Sequence, residues 1–232
     1  MPIPRGWARA GSLARVACAA CLIHVACAAC GCAAPGGGSL AEGTLVGPRF
    51  PAGAQQALSG TPCERFFPLV DDAVYRYMIS GSAGETGVVV ARVRREGALV
   101  GELRLGAGSR RFAYRPDGVV LAQTGTYVLR EPLVVGRAWQ GEHGGQARIV
   151  EVGVTATVPA GQLSGCIRTA EMAEGRPGEE PMRYVSTYCP EVGLTVLEAS
   201  DGEHHEKAEL SSYGPPVDIG PDGVSRIQAP PP

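Results

Sequence analysis

Residues 88–115 read VVVARVRREGALVGELRLGAGSRRFAYR, and apolar side chains alternate with charged ones along much of this stretch. Val93 lies between Arg92 and Arg94, and Arg104 separates the two leucines of GELRL in the same way. Successive side chains of a β-strand point to opposite faces, so a period of two gives each strand one apolar and one polar face. The stretch therefore predicts strands of a sheet that is buried on one side.

Comparable short runs, rich in Val or Tyr, lie on both sides, and Gly-containing turns separate nearly all of them. Such runs and connections are typical of antiparallel sheets. No segment longer than about ten residues combines a helical apolar stripe with caps. The sequence predicts an all-β fold: a single antiparallel sheet domain, built as a curved sheet or half-barrel or as a sandwich. The predicted strands are 74–79, 86–94, 98–105, 110–115, 118–123, 126–130, 147–158, 166–173, 183–189, 194–199 and 206–213.

Composition limits the partners and the number of domains. The chain has 232 residues with 33 Gly, 19 Pro and 8 Cys, and its formal net charge is −2. This charge provides no basic field, so no nucleic-acid partner is expected. Composition rich in Gly and Pro, without an apolar period, predicts a flexible tether at 32–62 and a disordered tail at 214–232. The folded part is predicted at 63–213, a suitable size for one domain.

The first 31 residues have the pattern of a secretory signal peptide. Arg5, Arg9 and Arg15 precede an uncharged run of small and apolar residues at 16–29, and no acidic residue occurs there. A basic leader, about 7–15 apolar residues and then small residues describe this class of segment. A membrane-spanning helix needs about 20 apolar residues, which is more than the run contains. The alternative, a buried Ala-rich helix, does not explain the basic leader, and we expect export.

The residues after the apolar run, Cys27-Ala-Ala-Cys30-Gly-Cys32, resemble a bacterial lipobox, without the Leu that usually lies three residues before the modified cysteine. In that family the cysteine thiol receives a diacylglycerol, cleavage occurs just before it, and the new amino terminus is acylated, for example with palmitate. The resemblance implies lipidation at Cys30 or Cys32. Several acyl chains anchor a protein stably where one is marginal. We expect a lipid anchor in the outer membrane, facing the periplasm, in preference to free secretion.

Two segments share a short template, Pro-Leu-x-x-(Asp/Gly)-x-x-(Tyr/Trp). One runs from Pro68 to Tyr75 and the other from Pro132 to Trp139, so their prolines are 64 residues apart. Pro is tolerated at the first residue of a strand, and a buried aromatic contributes much of the local apolar area. The template is either an internal repeat, in which each aromatic plugs one end of the sheet, or a chance match.

Three segments resemble a group of exported bacterial proteins, many of them lipoproteins, with the motifs PLxxGxxWxY, VPAGxFxxC and YxPGVGLV. Residues 67–77 read FPLVDDAVYRY, 158–166 read VPAGQLSGC and 188–194 read YCPEVGL. The resemblance covers most of the folded region and implies a β domain of the cell envelope, with no established activity and no catalytic residues to transfer. The departures from the motifs are Asp72 for Gly, Tyr75 for Trp, Leu163 for Phe and Glu191 for Gly.

The folded part contains three cysteines, Cys63, Cys166 and Cys189. Exported proteins meet oxidising conditions, which favour disulfides. If the last two lie on a hairpin and oppose each other, the turn is centred on the Pro-Gly step of GRPGEEP, so register and turn signal agree. Opposed residues are about 4.5 or 5.5 Å apart at Cα, within disulfide range. We predict a Cys166–Cys189 disulfide, with a buried free Cys166 as the alternative; Cys63 is either free or paired with Cys32.

The sequence contains little catalytic chemistry. It has no G-x-S-x-G elbow, no G-x-x-x-x-G-K-[ST] phosphate loop and no H-E-x-x-H zinc motif. The cluster Glu203-His204-His205-Glu206 would place two side chains on each face of a strand, whereas a metal site needs three or four converging ligands. We therefore predict a solvated turn there, with no metal, no cofactor and no enzyme activity.

Other charged residues have simple structural interpretations. The acidic pairs at 71–72 and 179–180 are adjacent residues of extended chain, so their carboxylates point apart and form no catalytic dyad. The arginine pair at 110–111 is interpreted as charge on a solvated strand edge, which discourages edge-to-edge pairing, with a patch for an acidic ligand as the alternative. His143 is expected to be a loop residue.

Three functional hypotheses follow. The first is a lipid-anchored envelope protein with a non-catalytic binding or assembly role, whose partners are the membrane and another envelope protein or an apolar ligand. The second is a carrier of a lipid or other apolar ligand within a curved sheet. The third is an enzyme, for which the candidate residues are His204, His205 and Glu206.

Overall fold

The computed structural model describes residues 60–106, 108–174 and 180–216. The predicted signal peptide, the lipidation candidates Cys30 and Cys32, and nearly all of the predicted tether and tail lie outside these ranges. No helix among the described residues is long and apolar enough to cross a membrane.

The elements are α1 Pro62–Phe66, β1 Val74–Gly81, β2 Thr86–Arg95, β3 Val100–Leu105, β4 Gly108–Arg115, β5 Gly118–Leu121, β6 Tyr127–Arg130, β7 Ala138–Gln140, β8 Gln146–Val158, β9 Gly161–Ala173, β10 Met182–Cys189, β11 Gly193–Ser200 and β12 His205–Gly214.

The strands form one antiparallel sheet in the order β6-β5-β4-β3-β2-β1-β12-β11-β10-β9-β8-β7. Each strand pairs with its neighbours in the chain, except that β6 and β7 are the two edges and β1 pairs with β12. The prediction of an all-β fold with a single antiparallel sheet is confirmed. The predicted runs did not include β7, which has three residues, or α1, which has five, because such short elements show no period.

The sheet curves until its two edge strands lie beside each other. Of the architectures predicted from the sequence, this is the curved sheet or half-barrel. The Trp139 indole N–H on β7 donates to the carbonyl oxygen of Tyr127 on β6 at 3.1 Å. The Trp139 side chain is only 4% exposed and packs with Ala147 and Ile149 of β8. This buried aromatic residue therefore joins the two edges of the sheet.

The two Pro-Leu templates occupy equivalent places in the fold. One leads into β1 and the other into β7, and each of these strands begins a run of six strands paired in chain order. The fifth template position has a left-handed backbone in both copies, with φ of 61° at Asp72 and 88° at Gly136. Gly and Asp are among the residues that adopt this conformation most readily, which explains the alternation at this position.

The backbone hydrogen bonds of the two bends also correspond. In each bend, the N–H of the left-handed residue donates to the carbonyl of one residue on the second strand of the run. The N–H of that strand residue donates back to the carbonyl of the residue that follows the left-handed one. The N–H of this following residue donates in turn to the carbonyl three positions before it. The series is Asp72 to Val93, Val93 to Ala73 and Ala73 to Val70 in the first copy, and Gly136 to Ile149, Ile149 to Arg137 and Arg137 to Val134 in the second. This agreement supports the internal repeat over a chance match.

The β8–β9 hairpin is longer than predicted and crosses part of the sheet. Its two strands have 13 residues each, and the pairing register of β8 shifts at three places. Bulges bend a strand, and here the hairpin tip reaches β12, where the Ala160 N–H donates to the Leu210 carbonyl at 3.0 Å. Residues 184–189 of β10 are all buried, which indicates cover on both faces. The hairpin therefore folds back towards β11 and β12.

The segment from α1 to Leu69 fills one end of the curve. Phe67 packs against Phe112 of β4 at a centroid distance of 4.9 Å and against Tyr188 of β10 at 6.1 Å, so one ring connects opposite sides of the sheet. The Tyr114 hydroxyl donates to the Phe67 carbonyl at 2.6 Å and accepts the Leu69 N–H at 3.0 Å. These contacts fix the entry of the chain into β1.

Strands β9 and β10 pair in the register that the hairpin argument requires. Ile167 opposes Tyr188, so the next pair outward is Cys166 and Cys189, and their sulfurs form a disulfide. The bond closes a segment with a sequence separation of 23. A covalent link of this kind restricts the unfolded chain and contributes about 2–4 kcal/mol to stability.

Trp139→Ala should lower the free energy of unfolding by about 3–5 kcal/mol, because it removes a large buried side chain and the contact between the two sheet edges. Urea unfolding followed by far-UV circular dichroism measures this change. Val135→Ala is a matched control four residues away, because Val135 is 63% exposed; its effect should stay within about 0.5 kcal/mol. Equal small losses for both variants would show that Trp139 does not hold the edges together.

Candidate functional site

The concave face of the sheet contains an apolar cavity of about 80 Å³. Its wall consists of alternate residues of β1 to β4 on one side and of residues from β10 to β12 on the other, closed at one end by Phe67 and Leu69. Alternation along the strands places these side chains inward while their neighbours face solvent. The inward residues include Tyr75, Tyr77, Ile79, Ala91, Leu103, Phe112, Tyr188, Leu194, Leu197 and Ala208.

The tyrosines of this wall present rings to the cavity, and two of them use their hydroxyls elsewhere. The Tyr75 hydroxyl donates to the Pro68 carbonyl at 3.2 Å, and the Tyr77 hydroxyl donates to the Leu194 carbonyl at 3.0 Å. Burial raises the pKa of Tyr75, Tyr77 and Tyr188 well above the usual range. These phenols therefore stay protonated, and the tyrosine part of the wall is uncharged at neutral pH.

Arg110 and Glu142 are the only charged side chains that line the cavity among the described residues. An Arg110 guanidinium nitrogen lies 2.5 Å from Glu142 Oε2, and the two side chains are 36% and 16% exposed. The ion pair thus lies at the margin of the cavity, where an arginine can reach water. A ligand with an apolar body and one polar group could place that group here.

The predicted edge role of the arginine pair at 110–111 is wrong. These residues belong to β4, which lies between β3 and β5 inside the sheet. Arg110 points to the concave face, whereas Arg111 points to the opposite face and forms an ion pair with Glu96. Alternation within the strand separates the two side chains, and neither belongs to an edge.

A buried polar network adjoins the ion pair and is centred on the Glu171 carboxylate of β9. Glu171 Oε1 accepts the backbone N–H of His143 at 2.8 Å and that of Gly145 at 3.0 Å. Glu171 Oε2 lies 2.9 Å from His143 Nδ1. The carboxylate therefore satisfies both the backbone and the ring of the β7–β8 turn, Gly141–Gly145, which reads GEHGG.

Two glycines of this turn are required by the close approach of other groups. A Cβ at Gly141 would lie 2.3 Å from the Glu171 carboxyl carbon, and a Cβ at Gly145 would lie 1.9 Å from the Met172 carbonyl oxygen. Real Cβ contacts are not this short, so only glycine fits. The GEHGG segment is thus shaped around Glu171 and the adjacent backbone of β9.

The His143 ring has a fixed orientation. It stacks on Tyr184 with a centroid distance of 3.6 Å and an interplanar angle of 8°. Its Nδ1 faces Glu171 Oε2, and its Nε2 lies 3.7 Å from Glu142 Oε1. Arg110, Glu142, His143 and Glu171 therefore form a continuous chain of charged and polar groups that leads from the cavity margin to the buried Glu171 carboxylate.

The sequence analysis did not find this network and predicted only that His143 is a loop residue. His143 does lie in a turn, but Glu171 is 28 residues away, and only the β8–β9 register brings the two together. The glycine spacing of GEHGG indicates a tight turn and carries no signal for the carboxylate.

The His204–His205 cluster lies on the surface at the start of β12. Asp201 Oδ1 accepts the backbone N–H of Glu203 at 3.1 Å and of His204 at 2.8 Å, which closes a solvated turn. These hydrogen bonds lower the pKa of Asp201. No group of three or more His, Cys, Asp and Glu residues that could hold a metal occurs in the described ranges.

The acidic pair at 71–72 is engaged by two different arginines. Asp71 accepts the backbone N–H of Arg95 at 2.7 Å, and Asp72 forms an ion pair with Arg92. The two carboxylates thus serve the turn before β1 separately. Glu179 of the other predicted pair lies outside the described residues.

Cys63 is free and fully buried at the start of α1. Its backbone N–H donates to Glu131 Oε1 at 3.3 Å. Burial, and to a lesser degree the Glu131 carboxylate, raises the pKa of the thiol. A thiol of this kind is a poor nucleophile at neutral pH, which favours a structural role.

Neither a protein-family model nor a curated protein matches this chain. Two crystal structures are similar to it at low identity. A putative exported protein with YmcC-like fold from Bacteroides fragilis gives a TM-score of 0.44 and 12% identity, covering 64% of this chain and 98% of that one. A putative lipoprotein from Parabacteroides distasonis gives a TM-score of 0.42 and 13% identity, covering 66% of this chain and 99% of that one.

Glu171→Ala should reduce the free energy of unfolding by about 2–4 kcal/mol, because each buried amide left without a partner costs about 1–3 kcal/mol. Chemical denaturation measures the loss. Glu151→Ala on β8 is the matched control, because Glu151 pairs with Arg168 at the surface, and exposed pairs contribute at most about 1 kcal/mol. A Glu171→Ala variant as stable as Glu151→Ala would contradict the assigned role of this carboxylate.

Proposed function

We propose that this protein is an exported cell-envelope protein, lipid-anchored through Cys30 or Cys32, whose domain binds an apolar group inside its curved sheet without catalysing a reaction. The observation that carries the binding role is the apolar cavity on the concave face. The sequence supports export, because a basic leader and an apolar run precede the cysteines.

The size of the cavity limits what it can hold. About 80 Å³ is roughly half of the 150 Å³ of an engineered apolar cavity that binds benzene. A whole lipid does not fit in such a volume, but the terminal carbons of an acyl chain do. The ligand class is therefore an acyl chain or similar apolar group whose remainder lies outside the cavity.

The chemistry of the wall favours binding over catalysis. The two charged residues of the wall pair with each other, and the buried tyrosine phenols stay protonated because burial raises their pKa. A catalytic site pairs a nucleophile or base with a group that activates it. Arg110 and Glu142 are better suited to hold the polar end of a ligand at the cavity margin, through charge-assisted hydrogen bonds.

Binding of saturated fatty acids with about six to twelve carbons, measured by isothermal titration calorimetry, tests the cavity. Each methylene that enters should raise affinity about fourfold, since its burial contributes about 0.8 kcal/mol. The increase should stop once the small cavity is full. Ala208→Leu adds three carbon atoms to the wall and should abolish this dependence on chain length.

Ala170→Leu is the matched control, because Ala170 is on β9 and does not line the cavity. This variant should bind the fatty acids as the wild type does. Equal binding by both leucine variants would place the ligand elsewhere, and no binding by the wild type would remove the proposed ligand class.

The anchor is tested separately by growing cells with radiolabelled palmitate. Label should enter the wild type and a Cys27→Ser control, and it should be lost when Cys30 and Cys32 are both replaced by Ser. Label that persists in the double variant would refute both cysteines as the site of acylation.

A further inference from the structure

We infer that the outward face of β1 to β4 is a docking surface for an anionic lipid membrane. This surface is separate from the cavity, which lies on the other face of the same strands, so the inference is independent of the proposed ligand. We call it the basic face and define it by six exposed arginines, Arg76, Arg92, Arg94, Arg104, Arg111 and Arg115.

The charge of the two halves of the sheet differs strongly. Residues 74–115, which form β1 to β4, contain eight arginines and no lysine against three glutamates, a net charge of +5. Residues 138–214, which form β7 to β12, contain five basic and twelve acidic residues, a net charge of −7. An overall charge of −2 therefore hides a basic region concentrated on a few adjacent strands.

Strand register places these arginines on one side of the sheet. Arg92 of β2 opposes Arg104 of β3, and Glu102 of β3 opposes Arg111 of β4. Three of the six arginines are in ion pairs, with Asp72, Glu102 and Glu96 as partners, so the basic face keeps a net charge of about +3.

The opposition of Arg92 and Arg104 carries particular weight. Like charges directly opposite each other across strands destabilise a sheet. The exposed ion pairs of Arg92 with Asp72 and of Arg104 with Glu102 offset part of this repulsion. An anionic surface would attract both guanidinium groups in addition. Guanidinium groups recognise phosphate through paired, charge-assisted hydrogen bonds.

Three exposed apolar side chains lie beside the arginines on the same face. Met78 opposes Val88 across the β1–β2 ladder, and Val90 opposes Arg76. Met78 is 51% exposed, Val88 63% and Val90 46%. An apolar cluster rimmed by arginines matches the membrane interface, where apolar side chains enter the acyl boundary and cationic ones meet anionic headgroups.

The other occupant with complementary charge is the acidic half of a second copy. That occupant would account for the arginines. Its own exposed apolar side chains, Val152 and Met172, lie six residues apart in the β8–β9 register, because Met172 opposes Gln146. They therefore offer no cluster to match Met78, Val88 and Val90. The combination of charge and exposed apolar area therefore favours the membrane.

The test uses the chain without residues 1–32, so that neither the leader nor an acyl chain contributes. It is mixed with vesicles of phosphatidylcholine alone, or with one lipid in four replaced by phosphatidylglycerol, and bound protein is measured by sedimentation. Binding should require phosphatidylglycerol and fall as salt rises, because salt screens the attraction.

Arg92→Glu combined with Arg94→Glu should weaken vesicle binding more than tenfold, since each arginine near an anionic surface contributes about fivefold. Met78→Ser combined with Val88→Ser should also weaken it. The matched controls on the other half of the sheet are Arg148→Glu with Arg168→Glu, and Val152→Ser with Met172→Ser; these should retain most of the binding. Circular dichroism and the intact disulfide verify folding of every variant.

Two results would overturn the inference. One is vesicle binding that is absent in the wild type or is weakened equally by the control variants. The other is the absence of vesicle binding together with self-association of the protein. Sedimentation velocity at low salt would then show association that depends on protein concentration and is lost in the arginine variant. That result would make a second copy the occupant.

Discussion

The contact of Phe67 with both sides of the curved sheet is the constraint on which the rest of the structure depends. The inward side chains of the strands do not fill the concave face by themselves, and a cavity of about 80 Å³ remains there. Phe67 spans the distance between Phe112 and Tyr188, and the buried ion pair of Glu64 with Arg95, whose side chains are 4% and 5% exposed, holds α1 against this end. The filled end fixes the curvature, and the unfilled remainder is the cavity.

The alternation of apolar and polar residues predicted most of the fold, but it did not predict the closure of the sheet. The period of two identified eleven of the twelve strands in the described part of the chain. The disulfide argument gave the β9–β10 register, because turn chemistry and cysteine positions agreed. The meeting of β6 and β7 depends on Trp139, whose strand is too short to show a pattern. The corresponding bends at Asp72 and Gly136 were visible as a template, but their equivalence depends on φ angles and hydrogen bonds that sequence does not state.

The candidate site was less predictable, since its parts come together only through long-range pairing. Once a strand is assigned, alternation predicts which of its side chains face the cavity. Alternation does not predict that β10 to β12 form the opposite wall, because this depends on the β1–β12 pairing, which joins the ends of the domain. His143 and Glu171 illustrate the same limit. A buried carboxylate satisfied by two backbone amides requires a turn shaped around it, and the glycines that permit this look like any other tight turn.

The arginine pair of β4 shows how one dipeptide serves both faces of the sheet. Arg110 lies at the cavity margin with Glu142, while Arg111 lies on the basic face with Glu96. Because the sheet separates the two side chains and they share no partner, changes at one face should be energetically independent of changes at the other. A protein built in this way can hold an apolar group inside its curve while its outer face lies against an anionic surface. The alternation that specifies the fold also keeps these two surfaces apart.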